Sequence, residues 1–427
     1  MLTSIVIFVL VYFAIAGRRL GILPVGRPAA GLFGAVACVL FRVLTPAQAY
    51  ASIDGDTLVL LLAMMILAAH LDYAGFFEWG AAMALRYART PGRLLTFVVF
   101  GAGITSAFLV NDSVCLMMTP LVVRLIRRGR LGPTLFLMAL ATSANIGSVM
   151  TLVGNPQNML VGSMSHLSFR HFFVLMAPVG LLALILNRFL LPLFYPLRPV
   201  APASAARQAE WLDTPFDDAD ELPADFRHTI IPKVKRGLLL KCFVCLAVAV
   251  VGFFAGFNVA WTALTAATLL LCIAGWEPRQ AFNKVDWPLL LFFAGLFIVV
   301  GGLRQSGVVE RLFEALHPTL GADPRHQAWA FSFVTLLGSN LVSNVPYVLV
   351  AGEWVPGLVR PETGWLLLAM ASTFAGNLTL IGSVANILVV EGGRDATSIG
   401  FRQYLRYGVV ITLLTTLLGT AWILWFS

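Results

Sequence analysis

Charge is scarce in this chain. Of its 427 residues only 12% are Asp, Glu, Lys or Arg, against 59% hydrophobic, and the mean hydropathy is +0.86. No soluble globular domain carries that balance, so the sequence describes a polytopic membrane protein. Enzyme signatures are missing as well. There is no HExxH, no GxSxG, no phosphate loop and no cluster of carboxylates at catalytic spacing. An integral-membrane enzyme therefore finds no support, and neither does ATP-driven pumping by this chain. No catalytic residue, resident cofactor, bound nucleotide or structural metal is expected. Cysteine is sparse, at five residues, all in or beside apolar segments. Cys242 and Cys245 have CxxC spacing but no further Cys or His nearby, which reads as two small buried hydrophobes. The net charge of +8 does not point to nucleic acid, because the basic residues are dispersed among loops between apolar runs.

Ten spans can be drawn, at 2–17, 28–45, 57–73, 134–152 and 171–192, then 238–256, 258–275, 288–304, 364–381 and 403–426. Two further runs, 94–123 and 327–355, fit neither one span nor two. One span takes roughly 20 apolar residues, and two with a turn take roughly 40 or more. Each suits a re-entrant hairpin, with broken backbone shielded by protein or a water-filled cavity. The first holds a polar knot, Ser106-Ala-Phe-Leu-Val-Asn-Asp-Ser113, and the second holds Ser339-Asn-Leu-Val-Ser-Asn344. The amphipathic stretches Phe76–Tyr87 and 308–316 read as helices along the interface. With the N-terminus outside, every Lys and Arg except Arg42, Arg170, Arg304, Arg311, Arg325 and Arg360 falls on the cytoplasmic side. The positive-inside rule selects that orientation. Both termini then face away from the cytoplasm, in an inner (plasma) membrane. The acidic, Pro- and Ala-rich stretch 198–236 reads as a cytoplasmic linker between a first repeat, 1–197, and a second, 237–427.

The halves echo one another in order and at nearly constant spacing. Ile53-Asp54 matches Val285-Asp286, Gly75 and Glu78 match Gly307 and Glu310, and Asn111 matches Asn344. Thr151, Gly154 and Asn158 match Thr379, Gly382 and Asn386. Five crossings per half, an odd number, place the second copy upside down. The expected fold is all-α, an inverted repeat of two five-span halves, each with a re-entrant hairpin and a broken helix.

Such a transporter binds its substrate at mid-membrane, where helix ends replace water around it. Four pieces can build that site. Two are the hairpin turns, Asn111-Asp112-Ser113 and Ser343-Asn344. The third is the break in the fourth span, with Asn145, Thr151, Gly154, Asn155 and Asn158. The fourth is the break in the ninth, with Asn377, Thr379, Gly382 and Asn386. Asp112 is the one acid placed deep in the bilayer, which makes it the candidate coupling residue. His70 and Asp72, at the end of the third span, read as solvated at the interface. Glu353, on the returning arm of the second hairpin, reads as lying near the membrane edge.

At these residues the chain resembles the ion transporter superfamily. That group includes arsenite efflux permeases, NhaD-type sodium–proton antiporters, divalent anion/sodium symporters, citrate carriers and the melanosomal P protein. Gly75-Phe-Phe-Glu78 and Asn111-Asp-Ser-Val-Cys-Leu-Met-Met-Thr-Pro120 look closest to the arsenite permeases. The run from Asn145 to Asn158 looks more like the P-protein and anion-permease branches. The resemblance implies a scaffold domain and a transport domain, the latter built from both hairpins and both broken helices. In the dicarboxylate symporters each hairpin tip carries Ser-Asn-Thr. Here the tips read Val110-Asn111-Asp112 and Ser343-Asn344-Val345, which disfavours a dicarboxylate and suits a proton-coupled route. The expected function is secondary transport of a small anion or a neutral oxyacid such as arsenous acid, coupled to H+ or Na+. Sodium–proton antiport is the alternative, and a sodium-coupled dicarboxylate or citrate symporter stands behind it. The partners are that small ion, the lipid bilayer and, as a candidate, a second copy of the chain in a homodimer.

Overall fold

The computed structural model describes residues 1–19, 26–88, 90–129, 131–197 and 233–427. Almost all of the linker, 198–236, lies outside the described residues. In the first half the helices are α1 (Leu2–Arg19), α2 (Arg27–Leu40), α3 (Pro46–Ala51), α4 (Gly55–Tyr73) and α5 (Phe76–Tyr87). They continue with α6 (Pro91–Phe108), α7 (Asn111–Gly129), α8 (Pro133–Ser148), α9 (Pro156–Ser165) and α10 (Phe169–Phe194). The second half runs α11 (Arg236–Phe254), α12 (Val259–Ile273), α13 (Pro278–Phe282), α14 (Trp287–Gln305) and α15 (Val308–Leu320). It ends with α16 (Pro324–Val342), α17 (Asn344–Ala351), α18 (Pro361–Ala375), α19 (Val384–Gly392) and α20 (Phe401–Phe426). No strand forms among the described residues.

Each helix of the first half has its counterpart ten places on, and the start signals repeat with it. Asp54 caps α4 by accepting from the Thr57 backbone N–H, and Asp286 caps α14 through Leu289. Gly75 and Gly307 open α5 and α15 with φ of 84° and 72°, a left-handed turn that favours glycine. Proline sits in the first turn of α3 and α13, of α6 and α16, and of α8 and α18, where no N–H is needed.

The packing repeats too. α2 lies on α14, and its mirror contact is α12 on α4. The hairpin α6–α7 packs on α8, as α16–α17 packs on α18. α7 meets α19 across the halves, as α17 meets α9. Hairpins and broken helices thus form one packed group, with α10 and α20 beside it. α1–α4 and α11–α14 form the wall opposite. The α6–α8 crossing is tight: a Cβ on Gly147 would sit inside the backbone of Gly103.

Polarity is inverted relative to a soluble protein. Leu32, Phe33, Val36 and Leu40 of α2, Leu193 of α10 and Val244, Val248 and Val251 of α11 are exposed. Thr142, Asn145, Asn158, Asn377 and Asn386 are buried. An apolar exterior around a polar centre is the arrangement a bilayer requires. Among the described residues, six helices are long and apolar enough to cross by length and composition, and α6 is one of them. The ten drawn spans differ because α1, α2 and α12 fall among the shorter apolar helices, because α8 and α18 stop at breaks and are followed by the short α9 and α19, and because α6 belongs to a hairpin.

Three expectations need correction. His70 is fully buried, not solvated: its Nδ1 bonds the Ile66 carbonyl at 2.8 Å and Trp276, from the other half, covers its ring edge-on. Asp72 is half-buried and pairs with Lys284 at 4.0 Å. The returning arm of the second hairpin is shorter than drawn. α17 stops at Ala351 and a 3₁₀ turn, Gly352–Gly357, replaces the rest, because Pro356 cannot supply a helical N–H.

Candidate functional site

The site grows from the two breaks. Ending a helix leaves carbonyls without donors. In the first break Asn158 supplies them, its Nδ2 donating to the carbonyls of Ser148 (3.1 Å) and Thr151 (2.9 Å). In the second, Asn386 does the same for Gly376 (2.7 Å) and Thr379 (3.2 Å). Asn155 caps α9 by accepting from the Asn158 backbone at 2.8 Å, and its Nδ2 donates to Ser148 Oγ at 2.8 Å. The Thr151 hydroxyl donates to the Ala107 carbonyl, and the Asn111 backbone N–H donates to the Gly154 carbonyl at 3.0 Å. The first break is thereby stitched to the tip of the first hairpin. A Cβ at Gly154 would collide with the backbone of Ser148, so this close approach needs glycine.

Asn145 joins the halves. Its Oδ1 accepts from Asn111 Nδ2 (2.9 Å) and Ser383 Oγ (3.0 Å), and its Nδ2 donates to Oδ1 of Asn377 and Asn386, both at 2.9 Å. On α18 the corresponding residue is Thr373. It accepts from Asn155 Nδ2 and donates to Asn158 Oδ1, both at 3.2 Å.

In front of this network four helices begin. α7, α9, α17 and α19 start at Asn111, Pro156, Asn344 and Val384, and all four residues line one cavity. Each N-terminus carries roughly half a positive charge, and the Asn111 and Asn158 N–H groups are already bonded, to the Gly154 carbonyl and to Asn155 Oδ1. Asp112 lines the same cavity, and its carboxylate accepts the backbone N–H of Ala385 in the first turn of α19. The facing wall comes from α2 and α14, as Arg27, Phe292 and Phe293. A larger cavity of ≈ 520 Å³ lies elsewhere between α3, α14 and the end of the second hairpin. An ion pair, Arg304–Glu353 at 3.0 Å, joins α14 to that hairpin there.

Residues 8–375 match the family described as citrate transporter. The chain belongs to the citrate transporter family. Over 93% of its length it is 32% identical to the silicon efflux transporter LSI3 of Oryza sativa subsp. japonica, covering 92% of that protein. It is 26% identical to the arsenical pump membrane protein of Escherichia coli, with 82% of each chain covered. The solved YdaH transporter of Alcanivorax borkumensis has a similar fold, with TM-score 0.59 at 15% identity over 90% of this chain and 88% of that one. MtrF of Neisseria gonorrhoeae aligns with TM-score 0.58 at 13% identity, over 98% and 93%. This member of the family is an integral-membrane secondary transporter and not an enzyme.

Of the residues singled out from its sequence, Asn111, Asp112, Ser343, Asn344 and Gly382 line the cavity. Asn145, Asn155, Asn158, Asn377 and Asn386 lie behind it, bonded to one another, to backbone or to Ser and Thr hydroxyls. Thr151, Gly154 and Thr379 hold the breaks through their hydroxyl or carbonyl groups. Ser113 is half-buried on α7 and outside the cavity lining. Three polar lining residues stand outside the site residues read from the sequence. Gln157 and Ser383 begin half-helices directly after the breaks, and that position was the signal. Arg27 counted only as an orientation charge, and its place beside Pro28 at a helix start was the available clue.

Proposed function

We propose that this transporter carries a small anion or neutral oxyacid by alternating access, coupled to H+ or Na+, with Asp112 as the coupling residue. The observation that carries this reading is the meeting of four helix N-termini, two from each half, at one cavity that also holds Asn111, Asp112, Asn344 and Arg27. N-termini favour anions and polar oxygens, and Asp112 is the acid placed to exchange a coupling ion with them. The names of the relatives, an arsenical pump and a silicon exporter, agree with an oxyacid cargo. Sodium–proton antiport is the second reading, favoured by Asp112 lying in the cavity itself. Uptake into proteoliposomes under imposed pH or sodium gradients separates the two, with arsenite, oxyanions, dicarboxylates and sodium compared. Oxyacid accumulation supports the first, and sodium flux without any oxyacid supports the second.

The five crossings of each half set the second half upside down, with both termini outside and the linker cytoplasmic, in the plasma membrane of a prokaryote. Ser204→Cys is then labelled by an impermeant thiol reagent only from the cytoplasmic side, and labelling from outside reverses the orientation. A homodimer is part of this proposal.

A further inference from the structure

We infer that Tyr12 of α1 is a positioning residue for transport, whose hydroxyl holds the second hairpin tip in its present form only while the two walls face each other as here. The inference rests on the proposed alternating access and makes the second tip, not the first, the one that changes shape during turnover.

The tips differ first in where they find hydrogen-bond donors. Each hairpin breaks where its first helix ends, and a helix end leaves carbonyls without intrahelical donors. Inside a bilayer no water replaces those donors. At the first tip the Ala107 carbonyl takes its bond from the Thr151 hydroxyl, and the Asn111 N–H gives its own to the Gly154 carbonyl. Both partners lie in the break between α8 and α9, within the same packed group of helices. At the second tip the Leu341 carbonyl, in the last turn of α16, accepts from the Tyr12 hydroxyl at 3.1 Å. Tyr12 belongs to the opposite wall, where its ring is stacked on Phe8 of the same helix at 5.8 Å and 15°. One tip is satisfied from within its own group, and the other from across the gap.

The tips differ next in backbone. Ser343, directly after α16, has φ of 77° and ψ of 149°. That conformation is nearly confined to glycine, and other residues keep it only where their surroundings over-determine it. Val110, the counterpart in the first tip, is not strained in this way. Ser343, Asn344, Val345 and Pro346 all line the cavity, so relaxing Ser343 re-aims the wall of the site itself.

Movement of one wall past the other separates Tyr12 from Leu341. Bonds inside one group of helices survive that movement, and a bond across the gap does not. The second tip then loses a restraint and Ser343 relaxes, while the first tip keeps its shape. Tyr12 is outside the cavity lining and acts through the tip.

The test uses the full chain in proteoliposomes, with Cys272→Ser to remove the exposed native thiol and Val345→Cys as a reporter in the cavity. The other four cysteines are buried. An impermeant methanethiosulfonate is applied from each side, and the ratio of the two labelling rates is measured. The ratio cancels any change in the thiol's own reactivity. Tyr12→Phe removes the hydroxyl and keeps the ring, and should move the ratio about 2- to 10-fold away from the conformation seen here. Ser343→Gly removes the strain, and should move it the opposite way by about fivefold or more. Thr151→Val deletes the corresponding bond of the first tip, and should lower the unfolding temperature while leaving the ratio unchanged. A merely structural Tyr12 would alter stability and not the ratio. An unmoved ratio in Tyr12→Phe, or shifts of the same sign in Tyr12→Phe and Ser343→Gly, overturns the role of Tyr12 and leaves alternating access standing. A shift in Thr151→Val as large as that in Tyr12→Phe overturns the distinction between the tips. Labelling of the reporter from one side only, under every imposed pH or sodium gradient and without Tyr12 or Ser343 altered, overturns both the inference and the alternating access beneath it.

Discussion

The two hairpin tips are built on one plan and differ in their chemistry. In the second, Ser339 Oγ donates to Asn344 Oδ1 at 2.9 Å, and the pair satisfies itself. In the first, Ser106 Oγ and Asn111 Oδ1 occupy the equivalent places, are both buried, and have no hydrogen-bond partner among the described residues. Asn111 instead turns its amide nitrogen to Asn145. The next position is Asp112 in one tip and Val345 in the other. The buried residue behind the tip is Asn145 in one half and Thr373 in the other. Duplication supplied a symmetric frame, and the two tips came to differ in polarity.

Four sets of substitutions probe that asymmetry. The largest effect is expected at Asn145. Asn145→Ala strips partners from Asn111, Asn377, Asn386 and Ser383 together, and each polar group left unpaired in a buried site costs about 1–3 kcal/mol. Thermal unfolding in detergent should show a loss of about 3 kcal/mol or more, with transport abolished. Thr373→Ala should lose about 1 kcal/mol, since a single hydroxyl is removed. Equal losses would mean that the halves share the polar load evenly.

Next come the tips themselves. Asn111→Ala and Asn344→Ala should each cut uptake about tenfold or more at near-normal expression, the lost hydrogen bonds being worth roughly 1.5 kcal/mol. Both line one cavity, so cysteines at 111 and 344 should be joined by a short bifunctional reagent. Normal uptake by both alanine variants would make the tips purely architectural.

Asp112→Asn separates coupling from binding. The variant keeps shape but cannot titrate or carry a charge. It should lose gradient-driven accumulation while retaining exchange of bound cargo. Wild-type accumulation under the same gradient would reduce Asp112 to a structural acceptor for the Ala385 N–H.

The smallest effect is expected at the far cavity. Arg304 is well exposed, and ion pairs of this kind contribute about 0–1 kcal/mol. Arg304→Ala should change uptake by less than about fivefold. A larger loss would give the Arg304–Glu353 contact a part in transport.

Much of this was legible in the sequence, for identifiable reasons. Helix limits followed from proline, glycine and capping residues that act locally, and α5 begins and ends where its amphipathic stretch does. The repeat was legible because Gly75 and Gly307, or Asn158 and Asn386, answer the same backbone demand twice. What was not legible depends on contacts between distant segments. His70 at a span end looks solvated until Trp276, far along the chain, is laid over it. Arg27 looks like a topogenic charge until α2 is packed on α14. That the amide N–H groups of Asn158 and Asn386, read as candidate ligands, also hold the carbonyls freed by the breaks emerges only from the folded chain.

The meeting of Gly103 with Gly147 reaches beyond packing. With backbone against backbone there, and Arg188 of α10 clasping the start of α6 through the Gly92 carbonyl at 2.9 Å and Thr96 Oγ1 at 2.8 Å, the first hairpin is tied to its neighbours. A motion that exposes its tip to the other side is then expected to carry α6, α8 and α10 together. Such a displacement shifts a wide apolar belt against the surrounding acyl chains, at a fraction of a kcal/mol per ångström of mismatch. Turnover then becomes a property of the host bilayer's thickness as well as of the protein.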